Sequence, residues 1–326
     1  MNERKNKLIN FINLCGYKED ELHEIKNDAS FRNYYRLINH DLLIMDADPK
    51  KGESVTNFKK INEILRSLEF SVPDIISVDE VNGFMLLEDF GKKSFTNILN
   101  IDNEKDLFKR AVNLLSEINK KINKNKTILN NLKKYSLEVL LEESNLFILW
   151  YMQKHMKIDI DDRSKKDFLE ILKDVYKIVS PKEDTLVLRD YHVDNLFYLN
   201  KRNYIQSVGI IDFQDALCGS TSYDLISILE DVRRPISSEL TEEMISFYIE
   251  KTSANREQTY LETNFFSIQR NLKIIGIFCR LNYRDNKNHY LHMLPRSFKF
   301  IQKHIKKDPF SELNKWMLSF NMITKT

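Results

Sequence analysis

Two short apolar segments, each of which contains a cluster of polar side chains, interrupt the helical pattern of the last two thirds of this chain. The first is TLVLRDYHVDNLFYL, residues 185–199, and the second is SVGIIDFQDA, residues 207–216. Elements that only need to fold do not concentrate Asp, His and Asn side chains between apolar flanks in this way. A hairpin across NKRNYIQS, residues 200–207, would bring the two polar clusters together. The pattern therefore predicts a helical region with a β insert that carries chemistry.

These clusters contain groups that suit phosphoryl transfer. The amide oxygen of Asn195 and the carboxylate of Asp212 are hard oxygen ligands of the kind that Mg²⁺ prefers. Mg²⁺ takes few protein ligands and completes its coordination with water and phosphate oxygens. Asp190 is then left to accept a proton from a substrate hydroxyl. Metal, positioning and a base are most of what phosphoryl transfer requires, so ATP and Mg²⁺ are the expected cofactors.

The first third of the chain has a mixed α/β pattern. FRNYYRLIN and DLLIMDA read as a hairpin, and VPDIISVD and GFMLLEDF read as two more strands. Between the two pairs, Ser54 can cap an amphipathic helix. EDFGK is a short polar crossing segment, and helical periodicity dominates from about residue 94. The order predicts an α+β, protein-kinase-like two-lobed fold, with a small β-rich lobe at 1–90 and a larger, mainly helical lobe at 91–326.

Composition narrows the possible functions. The net formal charge of +2 argues against a dedicated nucleic-acid binder. The three cysteines form no CxxC pair, which favours a reducing compartment. No apolar run approaches the ~18 residues of a membrane helix, and the N-terminus does not resemble a signal peptide. The seven glycines form neither GxGxxG nor a P-loop. We therefore expect a cytoplasmic enzyme with a small-molecule substrate and no nucleic-acid or membrane partner, while the sequence leaves protein partners unknown.

The motifs resemble those of a known family. LRDYHVDN, IIDFQDA and SYDL are similar to the H-x-D-x(4)-N, D-x-x-D and YDL motifs of the aminoglycoside phosphotransferase and choline kinase group. The blocks DASFRNYYRL, GFMLLEDFG and QRNLKIIGIFCRLNYRDNKNHYLHMLPR resemble one branch of that group. This branch contains anomeric kinases that phosphorylate the C1 hydroxyl of N-acetylmuramate and N-acetylglucosamine in bacterial cell-wall recycling. The resemblance runs from about residue 28 to about residue 305.

The resemblance implies roles for individual residues. Asp190 would be the catalytic base, and Asn195 and Asp212 would be the Mg²⁺ ligands, with Asp215 left open between a metal and a supporting role. Tyr223 and Asp224 match the helix that supports the catalytic loop in the family. The candidate sugar contacts flank the base or lie on the helix of residues 259–282: Arg189, His192, Asp194, Gln214 and Arg280.

The chain departs from the wider family in two places. The first His of the catalytic motif is Leu188 here, and Met45 or Asp46 occupies the place of the phosphate-binding Lys of the third strand. Some other cation should hold the phosphates, and Arg32 and Arg36 are the candidates, with Glu63 a possible partner for one of them. The remaining candidate ATP contacts are Ser30 in a glycine-free loop and the backbone near Leu87, Glu88 and Asp89.

Two other functions stay open at this point. The first is another small-molecule kinase of the same group, acting on an aminoglycoside, choline or another hydroxyl compound. The second is a pseudokinase used as a binding module, which the absent Lys and His would suit. The joint presence of Asp190, Asn195 and Asp212 argues against the pseudokinase.

Overall fold

The computed structural model of the protein describes residues 3–25 and 32–323. The chain divides into two compact units and passes through each of them twice. The first unit holds the residues up to 110 and residues 193–216, and the second holds residues 111–192 and those from 217 onward. The lobe boundary that we predict between residues 90 and 91 falls inside the first unit.

The first unit contains a five-stranded antiparallel sheet in the order β1-β2-β3-β5-β4. The predicted hairpin is confirmed as β2 paired with β3, with Tyr34 opposite Met45. The predicted pair of β4 and β5 is also confirmed, with Asp79 opposite Phe84. The short edge strand β1 was not predicted. The strands are β1 (Leu22–Ile25), β2 (Asn33–Leu37), β3 (Leu42–Asp46), β4 (Ile75–Asp79) and β5 (Phe84–Glu88).

Three helices and the start of a fourth accompany the sheet in the first unit. Helix α1 (Glu3–Leu14) buries Phe11 and Ile12 against side chains of the sheet, among them Phe84. Helix α2 (Val55–Ser67) begins where the Ser54 hydroxyl accepts a 3.4 Å hydrogen bond from the backbone N–H of Asn57, as the capping pattern predicts. The short helix α3 (Phe95–Ile98) follows the crossing segment. Helix α4 (Glu104–Lys124) begins in the first unit and continues into the second.

The predicted second hairpin is confirmed and belongs to the first unit. Strand β7 (Leu196–Tyr198) pairs with β8 (Val208–Ile210), so that Leu196 lies opposite Ile210. The backbone N–H of Ile210 also donates a 2.9 Å hydrogen bond to the carbonyl of Ser71. The hairpin is thereby attached to the segment between α2 and β4, and its two polar ends lie beside the sheet of the same unit.

The second unit is mainly helical, with one short strand pair. Strand β6 (Thr185–Val187) pairs with β9 (Leu217–Gly219), and a large apolar cluster between residues 135 and 323 forms its core. No helix among the described residues is both long enough and apolar enough to span a membrane. The remaining helices are α5 (Leu137–Leu146), α6 (Asp162–Val179), α7 (Thr221–Leu229), α8 (Ser238–Thr252), α9 (Arg256–Asp285), α10 (Leu294–Ile305) and α11 (Ser311–Ser319).

Helix α5 continues directly into a π-helix, Phe147–His155. Its buried residues Phe147 and Met152 join the core of the second unit. Helix α9 approaches this junction very closely, because a Cβ atom placed on Gly276 would lie 2.4 Å from the carbonyl carbon of Leu146. Glycine therefore allows the backbones of α9 and α5 to touch.

Candidate active site

Asp190 is exposed at the end of a loop whose backbone is held by a buried side chain of α7. The buried carboxylate of Asp224, on α7, accepts hydrogen bonds from the backbone N–H groups of Leu188, at 2.6 Å, and of Arg189, at 2.9 Å. Arg189 has a φ of +69°, a backbone conformation that non-glycine residues adopt only when their surroundings hold it. Asp224 thus occupies the position expected of a residue that supports the catalytic loop.

The environment of Asp224 favours its neutral form. Burial raises the pKa of Asp224 to about 7, because a carboxylate without water is poorly solvated. The two backbone N–H bonds from Leu188 and Arg189 work against this shift and lower the pKa, while the nearby charge of Asp190 raises it. The loop of the predicted base therefore rests on a carboxyl group that can change its charge near neutral pH.

A half-buried ion cluster lies beside this loop, and it was not predicted. Glu143, on α5, accepts from Lys273 Nζ at 2.8 Å and from Arg189 Nη2 at 2.5 Å, and the Tyr135 hydroxyl donates to its other oxygen. Burial alone would raise the pKa of Glu143, but the charges of Lys273 and Arg189 lower it below its usual value. Arg189, a predicted sugar contact, has its guanidinium joined to this cluster.

The predicted support residue Tyr223 belongs to the same cluster. Its ring is buried and packs edge to face against Tyr135, with 5.0 Å between the ring centroids. Lys273 Nζ donates a 3.4 Å hydrogen bond to its hydroxyl. No spacing in the sequence indicates this arrangement, because Glu143 and Lys273 lie on helices far apart in the chain.

The two predicted metal ligands lie side by side in the first unit. Asn195 Nδ2 is 3.5 Å from Asp212 Oδ2, and the backbone N–H of Ile211 donates a 3.1 Å hydrogen bond to the carbonyl of Asn195. The β7–β8 pairing produces this proximity, since each residue adjoins one strand of the hairpin. One amide and one carboxylate form a donor set that fits Mg²⁺, which needs few protein ligands.

Two further predicted residues lie next to this pair. Gln214 is buried, and its Nε2 donates hydrogen bonds to Asp212 Oδ1 at 3.1 Å and to Asp215 Oδ2 at 3.2 Å. Asp194, which precedes Asn195, accepts a hydrogen bond from the hydroxyl of Thr96. Gln214 therefore lies between Asp212 and Asp215, and the roles of these residues in sugar or metal binding stay predictions.

Arg32 supplies a cation beside Asp212. Its Nη2 lies 2.8 Å from Asp212 Oδ1, and its Nε lies 3.4 Å from Glu53 Oε2. The predicted pairing of Glu63 with Arg32 or Arg36 is wrong, because Glu63 is exposed on α2, while Arg32 pairs with Glu53 and Arg36 pairs with Asp89. Burial lowers the pKa of the Arg32 guanidinium, but Tyr34, Asp212 and Glu53 outweigh this effect and raise it. Arg32 therefore places a permanent positive charge beside the predicted metal ligand Asp212.

Met45 and Asp46, which we predict as alternatives for the place of the absent Lys, end β3. Asp46 is buried and accepts a 2.9 Å hydrogen bond from Nε of Arg4 on α1. This ion pair holds α1 against the sheet. The third strand thus ends in a structural carboxylate and not in a cation.

A cavity of about 270 Å³ lies in the first unit. Its lining includes the two predicted metal ligands, Asn195 and Asp212, and residues of the crossing segment EDFGK. Arg36 lies on its wall, where its Nη2 donates to Asp89 Oδ1 at 3.1 Å and to the carbonyl of Gly91 at 3.2 Å. Apolar side chains such as Leu43 and Phe197 line the remaining wall. The predicted nucleotide and metal residues on this cavity are Arg36, Leu87, Glu88, Asp89, Asn195 and Asp212. Ser30 lies outside the described residues.

The last two predicted sugar contacts belong to the second unit. His192 is buried, and Arg280 is half-buried on α9. The fully buried Asp231 lies near His192: burial raises the pKa of Asp231, but Arg233 and His192 outweigh this effect and lower it. The segment after α7 therefore adjoins the loop that carries Asp190.

Comparison with known proteins decides the family. The model of the phosphotransferase enzyme family matches residues 21–260. This chain belongs to the phosphotransferase enzyme family. The phosphotransferase is 29% identical over 309 residues to an N-acetylmuramate/N-acetylglucosamine kinase of Pseudomonas aeruginosa. The matched region covers 92% of this chain and 88% of the relative. A protein of the same name from Pseudomonas putida is 30% identical over 295 residues, covering 87% and 83%.

Solved structures establish the fold of this phosphotransferase. The ternary complex of the aminoglycoside phosphotransferase APH(2″)-IIa with streptomycin and ATP matches with a TM-score of 0.62 at 14% identity, over 92% of this chain and 99% of that one. The predicted α+β, protein-kinase-like fold is therefore confirmed, as is the predicted membership of a family of phosphate-transferring enzymes.

Proposed function

We propose that this phosphotransferase uses ATP and Mg²⁺ to phosphorylate the anomeric C1 hydroxyl of N-acetylmuramate or N-acetylglucosamine. The observation that carries the proposal is the adjacency of Asn195 and Asp212 on a cavity lined by the crossing segment. The names of the two Pseudomonas relatives, which match about nine tenths of this chain, support the choice of sugar.

The cavity of the first unit would receive the nucleotide. Its apolar side chains suit an adenine ring. The backbone N–H groups of Glu88 and Asp89 already donate to the carbonyls of Asp74 and Asp41, so a carbonyl of residues 87–89 would accept from the ring edge. Asn195 and Asp212 would hold Mg²⁺, which when bound neutralises charge on the phosphate oxygens. Arg32, fixed by Asp212 and Glu53, would add its permanent charge for the same phosphates.

Asp190 would act on the acceptor. It is exposed, while Asp224 fixes the loop immediately before it through two backbone hydrogen bonds. The anomeric hydroxyl of a sugar belongs to a hemiacetal and is more acidic than an ordinary alcohol. A carboxylate therefore only needs to orient this hydroxyl and to take its proton late in the transfer.

The test measures ADP release from Mg-ATP with N-acetylmuramate, N-acetylglucosamine, glucose, choline and kanamycin, followed by phosphorus NMR of the product. We expect turnover of the N-acetyl sugars and the signal of an anomeric phosphate. Turnover of choline or kanamycin alone would overturn the sugar assignment and leave the phosphotransferase assignment intact. ATP binding without turnover of any acceptor would favour the pseudokinase.

A further inference from the structure

A positively charged cavity lies in the second unit, between the turn after α7 and the start of α10. Its volume is about 240 Å³. Three cationic side chains, Arg233, Arg296 and Lys299, and the imidazole of His292 line it, together with Val232, Met293 and Pro295. No carboxylate is among these lining residues. Positive side chains that converge on a concave surface attract an anionic group.

The two guanidinium groups are held in place by one turn of the chain. Arg233 Nη1 lies 3.4 Å from Oδ1 of the buried Asp231, which also accepts a 2.9 Å hydrogen bond from the backbone N–H of Arg233. Arg296 Nη1 donates a 2.7 Å hydrogen bond to the carbonyl of Val232. The Arg296 guanidinium carries five N–H groups, so its one anchor leaves donors for a ligand. Anchoring reduces the entropy that binding would cost.

Lys299 extends the charged surface along α10. It lies three residues after Arg296, which places the two side chains on the same face of the helix. Lys299 and His292 are exposed, so the cavity is open to solvent on this side. Arg280, a predicted sugar contact, does not line it.

The cavity and the loop of the predicted base are both attached to α7. Asp224 of this helix accepts hydrogen bonds from the backbone N–H groups of Leu188 and Arg189, just before Asp190. The turn with Asp231 and Arg233 follows the end of the same helix at Leu229. These residues all belong to the second unit. An acceptor held at Asp190 therefore has this charged turn as a neighbour in the same compact unit.

We propose that this cavity binds the carboxylate of the acceptor and so makes the enzyme prefer N-acetylmuramate to N-acetylglucosamine. N-acetylmuramate carries a lactyl carboxylate, and N-acetylglucosamine has no such group. A guanidinium recognises a carboxylate through paired, charge-assisted hydrogen bonds. The inference rests on the proposed function, because it assumes an amino-sugar acceptor at Asp190.

The experiment compares kcat/KM for the two sugars in the wild type, in Arg296→Gln and in Lys299→Gln. For N-acetylmuramate, Arg296→Gln should lower kcat/KM roughly 10- to 100-fold, the range for a lost hydrogen bond to a charged group. Lys299→Gln should lower it less, because an exposed charge is screened by water and salt. Both variants should keep the wild-type value for N-acetylglucosamine. Lys299 is exposed, so its substitution leaves the fold intact.

The matched control is Arg284→Gln, since Arg284 is an exposed arginine of α9 whose guanidinium pairs with the adjacent Asp285. This substitution should change kcat/KM for neither sugar. Equal losses on both sugars, or a raised KM for ATP, would show a phosphate site or a structural role and would overturn the proposal. Unchanged selectivity in both variants would also overturn it.

A binding measurement separates this inference from the proposed function. Calorimetry with N-acetylmuramate and N-acetylglucosamine, without nucleotide, should give tighter binding of the acidic sugar to the wild type and loss of that difference in Arg296→Gln. Equal binding of the two sugars would overturn the inference even if both are phosphorylated. Selective binding without turnover would support the cavity and contradict the proposed reaction.

Discussion

The guanidinium of Arg32 lies 2.8 Å from the carboxylate of Asp212, although 180 positions separate the two residues in the sequence. The third strand ends in Met45 and a buried Asp46, which pairs with Arg4, so this strand offers no cation at its end. The cation next to Asn195 and Asp212 is therefore Arg32, the residue immediately before β2. Its second partner, Glu53, holds it in place.

Arg32→Gln should raise KM for ATP roughly 10- to 100-fold, because the nucleotide phosphates lose a charge-assisted contact. Arg32→Lys should restore part of the affinity, since it keeps the charge without the planar fork. Steady-state kinetics with varied ATP measures both. Arg66→Gln is the control, because Arg66 is an exposed arginine of the same unit that pairs with Asp74. An unchanged KM in Arg32→Gln would remove Arg32 from the nucleotide site.

Asp190→Asn should fold normally and lose nearly all turnover, by about 10²- to 10⁴-fold for a lost general base. The residues assigned to ATP and Mg²⁺ belong to the first unit, whereas Asp190 belongs to the second. The variant should therefore keep the shift in melting temperature that Mg-ATP causes. A wild-type rate in this variant would show that the base is assigned to the wrong residue.

Asp224→Asn should make the protein less stable at acidic pH, where the wild-type carboxyl is neutral and well accommodated. The folded pKa of about 7 exceeds the ordinary value of 3.8, so the folded state binds more protons than the unfolded state between these values. Wild-type stability should fall as pH rises through that window, and the difference from Asp224→Asn should shrink. Urea unfolding at pH 5 and pH 8 measures the difference in unfolding free energy between the two proteins. A difference that grows with pH would contradict the raised pKa.

Glu143→Gln should show the opposite dependence on pH. Lys273 and Arg189 hold the pKa of Glu143 below its ordinary 4.5, so its stabilising charge is present above that pH and is lost as pH falls. At pH 7 the variant should lose about 1.5 to 3 kcal/mol of unfolding free energy, because half-buried cations lose a charge-assisted hydrogen bond. Urea unfolding across pH 3 to 7 should show the two proteins converging in acid.

The control for this substitution is Glu142→Gln. Glu142 is the adjacent residue on α5 and is exposed. Its replacement should change stability by less than about 0.5 kcal/mol, as for ordinary surface positions. If both variants lose the same stability, the effect belongs to the helix and not to the half-buried cluster.

Gly276→Ala should destabilise the second unit by about 1 to 3 kcal/mol, the usual cost of overpacking. An added Cβ would lie 2.4 Å from backbone carbon and 2.5 Å from backbone oxygen of Leu146, and neither atom can move without displacing α5. Thermal unfolding measures the loss, and Gly276→Val should be worse. An unchanged melting temperature would mean that α5 and α9 separate easily at this point.

The strand pairs near the site were predictable because their signals are local. The β2–β3 and β7–β8 hairpins each join neighbouring apolar runs, and the second pairing alone brings Asn195 to Asp212. Ser54 was recognised as a helix cap for the same reason, since the hydroxyl and the N–H that it accepts from are three residues apart.

Contacts between distant segments could not be predicted in the same way. The pairing of Glu143 with Lys273 joins α5 to α9, and many exposed Glu and Lys residues share the same spacing pattern. Glu63 was a candidate partner for Arg32 or Arg36 because it lies on the following helix, but that helix exposes Glu63 to solvent, and Arg32 pairs with Glu53. The π-helix at Phe147–His155 was also missed, since its apolar residues continue the helical pattern.

The passage of the chain twice through each unit has a consequence for synthesis on the ribosome. The cavity of the first unit needs both Leu87 and Asp212, and the segment of residues 111–192, which belongs to the other unit, is made between them. The sheet can form early, but the nucleotide cavity can close only after residue 216 has emerged. Closing so long a loop costs entropy and slows folding. The nascent chain thus carries an unfinished first unit during much of translation, when chaperones have the most apolar surface to bind.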